Sequence, residues 1–155
     1  MDKPTICVAV PLEDELIAPL LAEGRVTQIN GAQVPRSELL SALSDVDGLM
    51  SPTSVRIDSE FLEAMPQLQV ISQAAVGYNN VDIASATKHG VAICNTPGVL
   101  NAAVADLTMV IIISLARRLF EFEEYSRSGA WGRRETSPPL GHDIKGKTLG
   151  VVGFG

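Results

Sequence analysis

The sequence predicts an α/β protein with a parallel sheet that is covered by helices on both faces. Short apolar runs alternate with longer helix-like stretches along residues 6–94. Strands that are buried on both faces are largely apolar, and parallel neighbours need a helical crossover between them. Both features are present, so a parallel sheet is the expected architecture.

The predicted elements follow one another in a regular order. Strands are predicted at residues 6–10, 26–29, 48–50, 69–75 and 91–94, and helices at residues 13–23, 37–43, 58–64 and 82–89. Gly24, Pro66 and Gly90 stand just beyond three of these helices, and Asp58 suits the N-cap of the third. These roughly five βα units give a flavodoxin-like layout.

A long helix is predicted over residues 101–128, with Asn101 as its N-cap and Gly129 after its last turn. Residues 102–116 are apolar on almost every face, and charged residues follow from Arg117 onward. The apolar run is about 15 residues long, shorter than the roughly 20 that a membrane span needs, and it contains Asp106. Such a helix has to be buried by its own sheet, a second domain or another subunit.

The last residues predict the start of a second strand-and-turn motif. A connection rich in glycine and proline, residues 132–146, leads into a predicted strand at residues 148–155. Gly153-Phe154-Gly155 then matches the opening of a dinucleotide-binding turn, in which glycines allow a tight turn and close approach to a pyrophosphate. For so short a pattern, a plain turn remains the alternative.

Composition excludes several classes of function. The chain has 12 basic and 18 acidic residues and a net charge of −6, which argues against a nucleic-acid partner. Cys7 and Cys94 lie far apart in apolar runs, as expected of reduced thiols in a cytoplasmic protein. His89 and His142 have no metal-ligand spacing, so no metal site is predicted. The N-terminus shows no secretory signal, and no membrane association is expected.

Two segments are candidates for ligand binding. Val76-Gly77 follows the fourth predicted strand, where open α/β sheets bind ligands, and its adjacent backbone N–H groups could hold a carboxylate. The alternative is a plain turn in which Asn79-Asn80 caps the next helix. Asn95-Thr96-Pro97-Gly98-Val99-Leu100-Asn101 leads into the long helix, where Thr108 lies about two turns in. No catalytic side-chain constellation is found, and neither histidine is expected to act as an acid or base.

In this order, the segments resemble the D-isomer-specific 2-hydroxyacid dehydrogenases, and the glyoxylate/hydroxypyruvate reductase branch is the most similar. The resemblance covers about residues 65–155, whereas the first 60 residues fit only as a fold. The motifs that carry it are Val70-Ile71-Ser72, Val76-Gly77-Tyr78-Asn79-Asn80-Val81-Asp82, Gly90-Val91, Thr96-Pro97-Gly98-Val99-Leu100, Val104-Ala105-Asp106, Ala116-Arg117-Arg118, Gly129-Ala130-Trp131 and Leu149-Gly150-Val151-Val152-Gly153-Phe154-Gly155. Asn79 departs from the family, many members of which carry Asp there.

The resemblance implies a two-domain enzyme, with a flavodoxin-like substrate domain at residues 1–100 and the beginning of a Rossmann domain at residues 101–155. It implies that the backbone of Val76 and Gly77 binds the substrate carboxylate and that Leu100 lines the same pocket. Val76 and Thr108 would lie near the nicotinamide. Gly153 and Gly155 would lie under the pyrophosphate of the cofactor.

The same resemblance implies hydride transfer between NAD or NADP and a small 2-oxo or D-2-hydroxy acid, in a protein that is a homodimer at full length. In this family an Arg holds the oxo acid and a His, assisted by a Glu, transfers the proton. All three come after the glycine-rich turn, so no catalytic residue is predicted among these 155 residues. The 155-residue chain alone is therefore expected to be inactive.

Two other classes of function compete with this one. A non-catalytic module that senses dinucleotides or dimerises on the same scaffold remains an alternative. A phosphoacceptor receiver domain has a similar fold, but it needs an Asp at the end of the third strand, where this chain has Ser51-Pro52-Thr53. The receiver hypothesis is therefore discarded.

Overall fold

The structure is a computed structural model and describes residues 3–153. The chain divides into two compact units, Met1–Val99 and Leu100–Gly155, each of which is described by itself.

The first unit is a five-stranded parallel sheet with the strand order β2-β1-β3-β4-β5. Its strands are β1 Thr5–Val8, β2 Arg25–Gln28, β3 Gly48–Ser51, β4 Val70–Gln73 and β5 Ala92–Cys94, and its helices are α1 Asp14–Glu23, α2 Arg36–Ala42, α3 Ser59–Glu63 and α4 Ile83–Lys88. Every pair of neighbouring strands is parallel. This strand order is that of flavodoxin-like folds, so the predicted fold class is confirmed.

One face of the sheet forms the main core. Because side chains alternate along a strand, Cys7, Leu49 and Ile71 all point to this face, and each is at most 2% exposed. They pack against buried side chains from helices α2, α3 and α4, among them Leu39 and Phe61. Full burial of a side chain such as Phe61 contributes about 1.5–3 kcal/mol to folding.

The other face of the sheet is covered by α1 alone among the helices of this unit. Ile17 of α1 is buried, whereas Leu16 stays 65% exposed. Between α1 and the sheet lies a groove of about 410 Å³, and its lining includes Leu16, Pro19, Met50 and Val70. Helices therefore lie on both faces, as predicted, but this second face is only partly covered.

The second unit contains α5 Asn101–Ala116, α6 Leu119–Arg127 and the short α7 Ala130–Arg133. The prediction of one continuous helix over residues 101–128 is wrong. Arg118 takes up a left-handed conformation with φ 56° and ψ 38°. The Ala116 carbonyl accepts a hydrogen bond from the His142 N–H at 2.7 Å, instead of one from the next helical turn. The apolar and charged halves of the predicted helix are therefore separate helices.

Two smaller predictions about this unit are also wrong. Leu100, not Asn101, occupies the N-cap of α5, and Asn101 is the first helical residue. Residues 148–153 form no strand in the described part of the chain, and residues 154 and 155 lie outside it. A strand forms through hydrogen bonds to a neighbouring strand, and residues 100–153 contain no other strand that could pair with it.

Helix α5 exposes most of its apolar side chains. Leu107, Val110, Ile111 and Leu115 are between 45% and 65% exposed, whereas Ser114 is buried. No described helix is both long and apolar enough to cross a membrane. The sequence predicts that this helix is buried, but residues 3–153 leave most of its apolar surface exposed.

Candidate functional site

The candidate site is the loop between β4 and α4, residues 74–80, at the carboxyl end of a parallel strand. The Ala74 N–H still bonds to the Ser51 carbonyl of β3, so the loop leaves the sheet only after that residue. Ligands of open α/β sheets bind outside these strand ends. The structure therefore places Val76 and Gly77 where a ligand is expected.

Two carbonyl groups of this loop are held by the segment that follows β5. The Ala75 carbonyl accepts a hydrogen bond from the Thr96 N–H at 3.1 Å. The Val76 carbonyl accepts one from Nδ2 of Asn95 at 2.8 Å. Both carbonyls therefore point toward residues 95 and 96.

The orientation of these carbonyls determines the direction of two N–H groups. In a trans peptide the C=O and the following N–H point in opposite directions, and no cis peptide occurs in the described chain. The N–H groups of Val76 and Gly77 therefore both point away from residues 95 and 96. Neither donates a hydrogen bond to any protein acceptor among residues 3–153.

The space beside these N–H groups is open. A Cβ added to Gly77 would meet nothing within 4 Å, and Val76 is 37% exposed. Two adjacent N–H groups without acceptors create a positive potential, which suits the two oxygens of a carboxylate. The geometry therefore supports anion binding at this loop.

The base of the loop is closed by side-chain amides. Nε2 of Gln73 donates to Oδ1 of Asn80 at 2.9 Å, and Nδ2 of Asn80 donates to the Val55 carbonyl at 2.7 Å. The Asn80 carbonyl accepts the Ile57 N–H at 2.8 Å. These contacts tie the end of the loop to the segment between β3 and α3.

The alternative interpretation, in which Asn79 and Asn80 cap the next helix, is wrong. Asp82 is the N-cap of α4, and its Oδ1 accepts the Ser85 N–H at 2.9 Å. The hydrogen bonds from Ser85 lower the pKa of Asp82 below its usual value, so the cap stays charged to a lower pH than an ordinary Asp would. The loop and the helix cap are therefore separate features, and Asn80 is free to hold the loop.

A cavity of about 440 Å³ lies beside the loop, between α4 and β5. Its lining includes Tyr78, Ile83, Thr87, Val91 and Asn95. Asn95 thus both lines this cavity and orients the Val76 peptide. Sequence reasoning assigned no role to the side chains of Asn95 and Gln73, although an Asn before Thr-Pro-Gly and a Gln in a buried strand were visible signals.

The described residues contain no group of three or more His, Cys, Asp or Glu side chains that could hold a metal ion. Both cysteines are free thiols, Cys7 buried and Cys94 exposed. Burial raises the pKa of Cys7, which keeps this thiol protonated and unreactive.

Most of the chain matches a family of known proteins. Residues 6–149 match the family model of the D-isomer specific 2-hydroxyacid dehydrogenase, catalytic domain. The chain belongs to this family.

The chain is similar in sequence to named reductases and similar in fold to solved structures. A glyoxylate reductase of Thermococcus kodakarensis is 45% identical over 127 residues, 79% of this chain and 38% of that protein. The TT0316 protein of Thermus thermophilus has a TM-score of 0.81 at 32% identity, over 92% of this chain and 46% of that one. The NADPH-dependent glyoxylate/hydroxypyruvate reductase of Sinorhizobium meliloti, in complex with NADP and malonate, has a TM-score of 0.76 at 27% identity, over 99% of this chain and 47% of that one.

The chain thus spans about 38% of the length of the curated glyoxylate reductases that it matches.

The other site residues expected from the dehydrogenase family lie in the second unit. Leu100 is 51% exposed, and the Thr108 hydroxyl donates to the Val104 carbonyl at 2.7 Å. Gly153 has a φ of +79° with nothing within 4 Å of an added Cβ. Gly155 lies outside the described residues.

Proposed function

We propose that this chain is part of an oxidoreductase that transfers a hydride between a nicotinamide cofactor and a small 2-oxo or D-2-hydroxy acid. Glyoxylate and hydroxypyruvate are the substrates we propose. The observation that carries this proposal is the pair of N–H groups at Val76 and Gly77, which are oriented together and lack acceptors in the described chain. Membership of the dehydrogenase family supports it.

In this proposal the substrate carboxylate accepts hydrogen bonds from both N–H groups. These bonds fix one end of a two- or three-carbon acid, and the oxo carbon next to the carboxylate is then held at a set distance from the loop. Holding the reacting carbon in one place lowers the entropic part of the barrier. The absence of a side chain on Gly77 leaves room for the acid, since nothing lies within 4 Å of an added Cβ.

The residues proposed to hold the cofactor are Val76, Thr108, Gly153 and Gly155. The nicotinamide supplies or accepts the hydride when it is bound. Gly153 fits the pyrophosphate turn because a left-handed φ of +79° favours glycine and leaves the backbone open to close approach. The Thr108 hydroxyl donates a hydrogen bond to the Val104 carbonyl, so only an oxygen lone pair of Thr108 is left to contact a ligand.

We propose NAD or NADP as the cofactor. The Sinorhizobium meliloti relative is described as NADPH-dependent, so activity assays have to include NADPH as well as NADH. We also propose the domain division at residues 1–100 and 101–155, with the second part beginning a Rossmann domain.

We further propose that the full-length protein is a homodimer in which α5 is buried. Leu107 and Ile111 are 60% and 45% exposed, and an apolar helix of this kind is stable in water only when another surface covers it. The free thiols of Cys7 and Cys94 support a reducing compartment such as the cytoplasm. The alternative of a non-catalytic dinucleotide-sensing or dimerising module has no specific observation in its favour.

The proposal is tested by assaying the full-length protein for oxidation of NADH and of NADPH with glyoxylate and with hydroxypyruvate. We expect turnover with at least one pair, and none with the purified 155-residue chain. Turnover by the 155-residue chain would contradict the assignment of proton chemistry to residues outside it. No turnover by the full-length protein with any small 2-oxo acid would overturn the proposed function.

A further inference from the structure

The side chain of Gln73 is an amide in a wholly buried position. Gln73 is 0% exposed and ends β4, immediately before the loop that carries Val76 and Gly77. Its Nε2 donates to Oδ1 of Asn80, but its Oε1 is buried and accepts no hydrogen bond within the described chain. Within the described chain, Nε2 of Gln73 therefore has a hydrogen-bond partner and Oε1 has none.

This arrangement is unfavourable for a residue whose role is to fill the core. A buried acceptor without a donor has lost its hydrogen bonds to water and gained nothing in return. Methionine or leucine would fill a similar volume without that cost. The contribution of the Gln73 amide therefore has to lie in its contact with Asn80.

The orientation of both amides is fixed by a backbone carbonyl. The Val55 carbonyl can only accept, so Asn80 must present Nδ2 to it at 2.7 Å and Oδ1 to Gln73. Gln73 must in turn present Nε2 at 2.9 Å. The pair therefore has one possible arrangement, and it joins the two ends of the loop.

We propose that Gln73 and Asn80 are positioning residues that set the direction of the Val76 and Gly77 N–H groups and thereby the affinity for the substrate carboxylate. This inference rests on the proposed function. The loop is held in its middle by Asn95 and Thr96, and at its base by the Gln73–Asn80 contact. Without the contact at the base, the peptide planes of the loop can rotate, and the two N–H groups no longer both point away from residues 95 and 96.

The test compares steady-state kinetics and melting temperature of the full-length enzyme with those of three variants. Gln73→Met removes the donor and keeps the volume. Asn80→Ala removes the acceptor and the contact with Val55. Gln67→Ala is the control, because Gln67 is an exposed amide before β4, at the other end of the strand from the loop, and its side chain makes no hydrogen bond in the described chain.

We expect Gln73→Met and Asn80→Ala to raise KM for the 2-oxo acid about 10-fold, the effect of one hydrogen bond to a charged ligand group. KM for the cofactor and kcat should stay within about threefold, since neither residue touches the reacting atoms. Gln67→Ala should match the wild type. The double variant should be no worse than Asn80→Ala alone, because both changes break the same contact.

A merely structural role gives a different result. A loss of more than about 5 °C in the melting temperature of Gln73→Met, with KM unchanged, would assign the residue to the core and overturn the inference. Additive effects in the double variant would overturn it as well. A wild-type enzyme without any reductase activity would overturn the proposed function and this inference together, whereas an active wild type with an unchanged KM in Gln73→Met would overturn the inference alone.

Discussion

The side-chain amide of Asn95 donates a hydrogen bond to the carbonyl oxygen of Val76 at a distance of 2.8 Å. This contact joins the loop after β5 to the loop after β4. Because the Val76 carbonyl and the Gly77 N–H belong to one planar peptide, holding the carbonyl also sets the direction of the N–H. A side chain with no role of its own in the reaction thereby prepares the proposed carboxylate site.

Asn95→Ala tests this relationship in the full-length enzyme. The Val76 carbonyl loses its donor, so we expect KM for glyoxylate to rise about 10-fold while KM for the cofactor is unchanged. Thr87→Val is the control, since Thr87 lines the same cavity but its hydroxyl bonds only to the Ile83 carbonyl. Equal KM values for Asn95→Ala and the wild type would show that the loop keeps its shape without this contact.

Gly77→Ala tests whether the open space beside Gly77 is where the substrate lies. The added methyl group meets no protein atom within 4 Å and requires no left-handed φ, so the melting temperature should not fall. The methyl group would occupy space needed by the acid, and we expect kcat/KM for glyoxylate to fall at least about 10-fold.

The matched control for this variant is Gly132→Ala, another position with an ordinary φ and no neighbour within 4 Å of the added Cβ. It should leave both stability and kcat/KM close to those of the wild type. Full activity of Gly77→Ala would place the substrate elsewhere.

The sequence predicted the sheet well because its signals are local. Apolar runs bounded by Gly24, Pro66 and Gly90 mark strands and helix ends, and the structure moves their bounds by only one or two residues at most ends. The helix break at Arg118 could not be predicted in this way. It depends on a hydrogen bond from the His142 N–H to the Ala116 carbonyl, between residues far apart in sequence.

Only part of the geometry of the candidate site could be predicted from the sequence, for the same reason. Val76 and Gly77 could be chosen from their place after a strand. The direction of their N–H groups depends on Asn95 and Thr96, some twenty residues further along the chain, and no local pattern reveals that contact. The missing strand at residues 148–153 is a further non-local case, because a strand forms only beside a partner.

Asp58 is expected to stabilise the first unit in a pH-dependent way. Its Oδ1 accepts the Phe61 N–H at 3.1 Å and pairs with Arg36 at 2.5 Å. Partial burial alone would raise its pKa, but the hydrogen bonds from Phe61 and Arg36 and the charges of Arg36 and Arg56 outweigh burial and lower it. Asp58→Ala should therefore cost about 1–2 kcal/mol of unfolding free energy at pH 7 in urea denaturation.

The pH dependence of this cost follows from the lowered pKa. The stabilisation is present above the unfolded-state pKa of about 3.9 and is lost as the pH falls through the lower folded-state pKa. The difference between wild type and Asp58→Ala should shrink below about pH 4. Asp58→Asn keeps a cap acceptor without the charge, so its cost at pH 7 should be smaller than that of Asp58→Ala. This cost should fall toward zero over the same pH range, because the wild-type carboxyl is protonated there. A constant difference for Asp58→Ala down to low pH would contradict a role for the carboxylate charge.

The purified 155-residue chain is expected to self-associate through α5. Leu107 and Ile111 are exposed apolar residues one helical turn apart, and they lie on the same side of α5. Replacing both with Glu should reduce the sedimentation coefficient at high concentration in analytical ultracentrifugation. Ser126→Glu adds charge to the polar α6 and should leave association unchanged. A wild-type chain that stays monomeric over the same range would contradict burial of α5 by another surface.

The amide resonances of Val76 and Gly77 give the most direct test of the carboxylate site. Oxalate, a small acid that is not reduced, would be titrated into the isotope-labelled full-length protein with cofactor bound, and proton–nitrogen NMR spectra recorded. Both amide protons should shift downfield on binding, because each N–H then donates to a carboxylate oxygen, while the Gly132 amide should not move. Saturable oxalate binding with no change at Val76 and Gly77 would contradict the account.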